Sequence, residues 1–356
     1  MAYLELYKDK LHHNYKVIKQ MLDKHGKELA VVSKLLCGNR LYIQELINMG
    51  VKEICDSRIS NLKVIKELDP DVDTVYIKPP AKRSIKSVVK YADASFNSSY
   101  ETIKLLSEEA MRQGKLHKVI IMVEMGDLRE GVMGEDLLDF YGGVFELKAI
   151  KVTGIGTNLN CMSGVLPSQD KLIQLSLYKE LIETRFNRKI PWVTGGSSIT
   201  LPMLRKNQIP KGVNHFRVGE TLFFGNNLLS GKPFQNMKQD VIKLFAEIIE
   251  IAEKPNVPIG VLAENPSGEM FKVDEEDYGT SSYRAIVDIG LLDIGTEFLI
   301  PVNKDIKVIG ASSDMLILDL GKSRKKFKVG DTISFRLKYM GALGIFNSNY
   351  IEKRLI

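Results

Sequence analysis

The feature that most constrains the fold is a repeat of texture rather than of sequence. Short runs rich in β-branched and aromatic residues alternate with longer stretches of helical period. The runs are AVVSK (30–34), EICDS (53–57), TVYIK (74–78), ASFNS (94–98), KVIIMVEM (118–125), KVTGIGTN (151–158), PWVTGG (191–196) and HFRVG (215–219). Between them lie amphipathic segments such as YETIKLLSEEAMRQG (100–114) and QDKLIQLSLYKELIETRF (169–186). In the second, Leu172, Leu175, Tyr178, Leu181 and Ile182 recur at helical spacing. Eight strand–helix units in about 190 residues predict an α/β fold of the (β/α)8, TIM-barrel type. An open doubly wound sheet is the competing arrangement, and the count of eight favours the barrel.

After about Leu229 the texture changes. DVIKLFAEIIEIAEKP (240–255) has the spacing of a helix or of one long strand. YRAIVDIG, KVIGASSDMLILDLG and KKFKVGDTISFRLKY follow with turn signals between them, as in a small all-β domain. The expected division is a barrel over 1–228 and a C-terminal β-domain over 229–356. The YLEL alternation within residues 1–10 could pair with the second domain.

Composition narrows the function classes. Lysines and arginines exceed acids by 50 − 44 = +6, but they are interleaved with acids along the chain. The longest basic cluster, Lys322 to Lys328, reads as a solvated hairpin. Nucleic acid is therefore poorly supported and not the expected partner, and an anionic substrate or cofactor fits the charge as well. Cys37, Cys55 and Cys161 are odd in number and widely spaced, without a CxxC pair, which argues against disulfides or structural zinc. The five histidines do not pair at ligand spacing, so no metal is expected. The start of the chain, MAYLELYKDKLHHNYK, is mixed and charged and reads as no signal peptide. No apolar run reaches the ~20 residues of a membrane span, so the expected compartment is the cytoplasm.

In a barrel of this type the chemistry gathers at the carboxyl ends of the strands. Those ends carry Lys34, then Asp127, Arg129 and Glu130 in MGDLREG, then Thr157 and Asn158. Ser197 and Ser198 follow in GGSS, and Arg217 and Gly219 in HFRVG. The GGSS turn precedes ITLPMLRK, a short helix whose N–H groups could bind phosphate or be capped by serine; the two roles are compatible. GIGTN lacks the third glycine of a dinucleotide fingerprint. An amine and a phosphate site at one barrel mouth suit pyridoxal phosphate, whose aldehyde needs a lysine for a Schiff base. An arginine at the ring nitrogen would leave it unprotonated and favour reprotonation at Cα over transamination.

These motifs in this order resemble the alanine racemase superfamily, the fold-type III pyridoxal phosphate enzymes. YLELYKDKLHHNYKVIKQ, AVVSKLLCG, VEMGDLREGV, GIGTN, HFRVGETLFFG, GASSDMLILDL and KVGDTISF carry the resemblance, and it spans the chain. SKLLCGN, CDSRISNLK, GIGTNLNCMSGVLP and the closing NYIEKRLI are most similar to members acting on ornithine. The resemblance implies interconversion of L- and D-ornithine by two-base proton transfer. It implies Lys34 as the cofactor-bearing base, Arg217 at the ring nitrogen, and Ser197, Ser198 and Gly219 near the phosphate. Asn158 would stand where relatives stack a histidine on the ring. Arg129 would lie near the phenolic oxygen and the substrate carboxylate. It implies a homodimer with shared sites.

Three departures stand out. Leu291, in DIGLLDIG, replaces the family's second acid/base tyrosine, and Asp293 is the candidate substitute. Gly38 replaces a tyrosine four residues after the lysine, and Met122 replaces the lysine that orients the arginine. Tyr339, with Tyr350 as rival, is the expected phosphate contact. Asp127 is the expected reader of a distal substrate ammonium. The remaining alternatives are a lysine or alanine racemase, a decarboxylase of the same barrel, and a non-catalytic pyridoxal phosphate carrier.

Overall fold

The computed structural model describes residues 2–264, 268 and 270–356. It divides into two units, one spanning Tyr7–Val241 and one formed by β1 (Tyr3–Leu6) with Ile242–Ile356.

The first unit is the barrel. Its strands are β2 (Glu28–Val32), β3 (Glu53–Asp56), β4 (Asp73–Tyr76), β5 (Ala94–Asn97), β6 (His117–Met122), β7 (Ile150–Gly156), β8 (Trp192–Thr194), β9 (Gly196–Ser197) and β10 (His215–Val218). All pair in parallel in the order β8-β7-β6-β5-β4-β3-β2-β10-β9. Only Gly195 separates β8 from β9, so the two act as one strand that brings the sheet round to β10. Every one of the eight predicted strands is present. The predicted amphipathic segments are helices Tyr100–Arg112 and Gln169–Phe186, each entered through a serine side chain, Ser99 or Ser168, that accepts a backbone N–H.

Alternate residues of each strand face inward. Ala30, Cys55, Val75, Ala94, Phe96, Ile120 and Met122 form the apolar part of the interior, with Val32, Ile77 and Trp192 against it. The glycines of GIGTN belong here. A Cβ on Gly156 would lie 2.4 Å from Thr194 Cγ2, and one on Gly154 would lie 3.2 Å from Trp192 Cβ. Strand β7 gives up side chains so that β8 can point Trp192 and Thr194 into the barrel.

The segment after Leu229 stays with the barrel as far as Val241. Asn14, fully buried in helix Lys8–Lys24, donates to the carbonyls of Leu222 and Lys238 and accepts the Lys238 N–H at 2.7 Å. That bidentate grip keeps residues 234–238 on the barrel, with Phe234 and Met237 buried.

The second unit is an antiparallel sheet. Strand β11 (Ile242–Pro255) is one long strand, with β12 (Ser281–Val287), β13 (Leu299–Pro301), β14 (Lys307–Ala311), β15 (Leu316–Asp319), β16 (Thr332–Leu337) and β17 (Glu352–Leu355). Their order is β13-β16-β11-β12-β15-β14, with β1 paired to β11 and, in parallel, to β17. The basic cluster at 322–328 is not a hairpin. Gly321–Lys326 is a 3-10 turn, and the strands either side of it pair with different neighbours. Among the described residues no helix is long and apolar enough to cross a membrane.

Because Gly156 has no room for a methyl group, Gly156→Ala is expected to cost about 1–3 kcal/mol, the usual range for overpacking a filled core. Thermal unfolding should then start about 3–10 °C lower. An unchanged Tm would show that Thr194 yields freely.

Candidate active site

Lys34 lies just beyond β2, at the start of a 3-10 turn Lys34–Leu36, and is exposed rather than held in the strand. Ser33 fixes that strand end by donating to the Cys55 carbonyl through its N–H (2.9 Å) and to Asp56 through its hydroxyl (2.7 Å). Cys37 and Gly38 then take positive φ, +48° and +72°, and turn the chain away. A side chain at Gly38 would also meet Asn61, with Oδ1 2.7 Å from the Cβ. The next strand in the barrel is β10, in register Arg217↔Ala30 and Val218↔Val31. Gly219, at its end, packs directly on Val32, where a Cβ would lie 3.0 Å from the Val32 carbonyl oxygen. The lysine and the Arg-x-Gly stretch therefore occupy adjacent strand ends. Burial pushes the Glu220 carboxyl up, and the charge of Lys34 nearby works against that rise.

Ser198 bridges the next two strand ends. Its Oγ accepts the N–H groups of Gly219 and Thr221, both at 3.3 Å, at the start of helix Glu220–Phe224. Ser197 uses its N–H on Thr200 Oγ1 at 2.6 Å. The serine cap expected for ITLPMLRK is thus not where it was placed. Helix Leu201–Arg205 starts from Thr200 without a side-chain cap, and Ser198 serves the following helix instead.

Arg217 is 7% exposed and has acceptors on three sides. Its Nε donates to Thr194 Oγ1 (2.8 Å), Nη1 to Asn158 Oδ1 (2.8 Å), and Nη2 to the carbonyls of Thr157 (2.8 Å) and Thr194 (3.2 Å). Its guanidinium lies 5.1 Å from the centre of the Phe96 ring. Burial pulls its pKa down, yet an arginine stays charged. Among the described residues one Nη1 N–H finds no acceptor, so the guanidinium retains one donor. Asn158 passes the network on by donating to Glu130, whose carboxylate also grips Arg129 through both Nε and Nη2. Sequence, chemistry and burial thus join Arg129, Glu130, Asn158 and Arg217 in one line.

Asp127 is a correction. It is 2% exposed, and its carboxylate accepts four backbone N–H groups, from Cys161 (3.0 Å), Met162 (2.8 Å), Ser163 (3.3 Å) and Val165 (3.1 Å). Its acceptor sites are filled, so it anchors the 161–165 loop rather than waiting for a substrate ammonium. Burial works against its charge, but those N–H groups outweigh burial and hold the carboxyl below the usual carboxylate range.

Asp293, Tyr339 and Tyr350 belong to the second unit. DIGLLDIG forms a tight turn against Ser312–Ser313, where Gly290 is irreplaceable because a Cβ would lie 2.3 Å from the Ser313 carbonyl oxygen. Asp293 Oδ2 accepts the Gly290 N–H at 3.3 Å, and Leu291 is exposed. Tyr339 opens helix Tyr339–Asn347 half-buried, whereas Tyr350 is 87% exposed. Among the described residues no cluster of His, Cys, Asp and Glu could hold a metal ion.

The family model for the alanine racemase N-terminal domain matches residues 7–227. The chain belongs to the alanine racemase family. It is an amino-acid racemase. Ornithine racemase of Acetoanaerobium sticklandii is 38% identical over 349 residues, covering 98% of both chains. Lysine racemase of Thermotoga maritima is 31% identical over 340 residues, covering 96% of this chain and 94% of that one. Among solved structures, alanine racemase from Bartonella henselae with covalently bound pyridoxal phosphate aligns with a TM-score of 0.74 at 16% identity. It covers 100% of this chain and 99% of that one. That likeness concerns the fold, and it extends over both the barrel and the antiparallel sheet.

Sequence reasoning missed Glu53, Thr194 and His215, which lie inside the barrel beneath Arg217. The available signal was His215 two residues before Arg217 in the short strand HFRV, which puts both on one face; Glu53 and Thr194 gave none.

Asp127→Asn should free the 161–165 loop, because an amide presents an NH2 to backbone donors. Hydrogen exchange at residues 161, 162, 163 and 165 should quicken about tenfold or more at neutral pH. In the parent protein the carboxyl's depressed pKa makes this contribution full above ~3.9, the unfolded value, and lost as pH falls through the lower folded value. Unchanged protection in the variant would contradict the anchoring role.

Proposed function

We propose that this enzyme interconverts L- and D-ornithine with pyridoxal phosphate held on Lys34. The observation that carries the reading is the placement of Lys34 and Arg217 on the paired ends of β2 and β10. The donor set fits the cofactor. An exposed primary amine suits its aldehyde. The N–H groups of Gly219 and Thr221 converge on one hydroxyl, Ser198 Oγ, at 3.3 Å, where a phosphate oxygen would take over as acceptor. Arg217 offers its remaining N–H to the ring nitrogen. When bound, pyridoxal phosphate supplies an electron sink that acidifies Cα–H.

The chain's own groups do the rest. The Lys34 amine takes or gives the proton on one face of Cα, and Asp293 serves the other face in place of the missing tyrosine. A proton removed on one face and returned on the other inverts the centre without net change. Ser197, Ser198, Gly219 and Tyr339 would hold the phosphate, and Asn158 would lie against the ring. Arg129, held by Glu130, receives the substrate carboxylate. A permanent cation at the ring nitrogen, where a decarboxylase wants a carboxylate, supports racemisation. The cofactor is housed by the barrel unit, Tyr7–Val241. The β-domain formed by β1 and Ile242–Ile356 serves a neighbouring copy's barrel in a cytoplasmic homodimer with two shared sites. Ornithine as substrate is supported by the 38% identical relative, and lysine stands second on the 31% identical one.

Two measurements test this. The purified protein incubated with pyridoxal phosphate should turn yellow, and borohydride should fix the label on Lys34 and not on a Lys34→Ala protein. Chiral chromatography of single L-amino acids should then rank ornithine above lysine, and lysine above alanine. Alanine outrunning ornithine would defeat the substrate assignment, and label elsewhere would defeat the lysine.

A further inference from the structure

Three side chains below Arg217 form a continuous hydrogen-bonded column inside the barrel. Thr194 Oγ1, on β8, lies 2.8 Å from Arg217 Nε and 2.8 Å from His215 Nδ1. His215 Nε2 lies 3.1 Å from Glu53 Oε1, on β3. His215 is fully buried, and its ring stacks on Trp192 with centroids 4.7 Å apart. The glycines of β7 leave the space in which Trp192 and Thr194 stand.

Chemistry assigns each bond a direction. A guanidinium only donates and a carboxylate only accepts. Glu53 therefore accepts the Nε2 proton of His215. With the imidazole protonated on Nε2 alone, Nδ1 is left as an acceptor for the Thr194 O–H. The Thr194 oxygen in turn accepts from Arg217 Nε. Every donor points the same way, from the arginine down to the carboxylate.

We propose that Thr194, His215 and Glu53 are positioning residues for racemisation, a one-way column that holds Arg217 in orientation and opposes its charge from the barrel interior. A buried guanidinium with no carboxylate in direct contact is costly. The column brings the charge of Glu53 to it through two polarised links. It fixes Nε, while Asn158 and the two carbonyls fix the other nitrogens, so the remaining Nη1 N–H faces one way. This rests on the proposed role of Arg217 at the cofactor ring.

The first test needs no cofactor. With 15N-labelled histidines, and His215→Phe to assign the signal, His215 should report the Nε2–H tautomer. The opposite tautomer, or an imidazolium protonated on both nitrogens, would overturn the direction of the column. The second test uses the protein with pyridoxal phosphate. Glu53→Gln keeps an acceptor for His215 but removes the charge, and Thr194→Val removes the acceptor for Arg217 while Thr194→Ser keeps it. Glu53→Gln and Thr194→Val should shift the bound cofactor's absorption and lower kcat about tenfold with KM little changed. Thr194→Ser should restore both. Folded variants with the parent's spectrum and kcat would reduce the column to packing. If pyridoxal phosphate did not bind at all, the cofactor reading would fail while the tautomer result stood.

Discussion

An arginine cannot be discharged by its surroundings, so a barrel that buries one must build acceptors around it. Arg217 sets that demand here. The carbonyls at the ends of β7 and β8 meet one nitrogen, Asn158 meets another, and Thr194 meets the third. Each of these acceptors has a consequence further away. Asn158 is held by Glu130, which also holds Arg129. Thr194 needs a strand opposite it without side chains, and β7 supplies glycine at both inward positions near it. Met122 joins the apolar lining beside Gly156. Arg129 is gripped by its sequence neighbour, Glu130.

The barrel was legible because burial writes a short period into a sequence and helices write a longer one. Eight short runs at regular spacing admit few other folds, and all eight became strands. Lys34, Arg217 and Ser198 could be placed at strand ends by counting alone. DVIKLFAEIIEIAEKP stayed open between helix and strand because its alternation slips. A bulge between Ile248 and Glu250 breaks the register, and no period of two survives across it.

The rest depended on partners far apart in the chain. Asp127 looked like an acid at the mouth, but its four amide donors come from residues more than thirty positions later. Only a folded loop reveals that its lone pairs are spent. GIGTN invited comparison with phosphate loops, whereas its glycines answer to the bulk of Trp192 and Thr194 on the neighbouring strand. The Glu53–His215–Thr194 column was hidden for the same reason, since each member alone is a polar residue in a four-residue strand or shorter.

The first strand has an unusual place in time. Tyr3 pairs with Phe245 on β11 and with Glu352 on β17, stacks on the Phe245 ring at 4.9 Å, and lies 3.7 Å beneath the Arg354 guanidinium. A ribosome releases β1 first, yet its partners emerge only after the whole barrel has been made. The barrel, continuous in sequence, can close while β1 waits unpaired. Closing a loop of that length adds only modest entropy over a shorter one, so the delay weighs on rate rather than on final stability. The antiparallel sheet therefore closes after the barrel, and β1 stays unpaired until β11 has emerged.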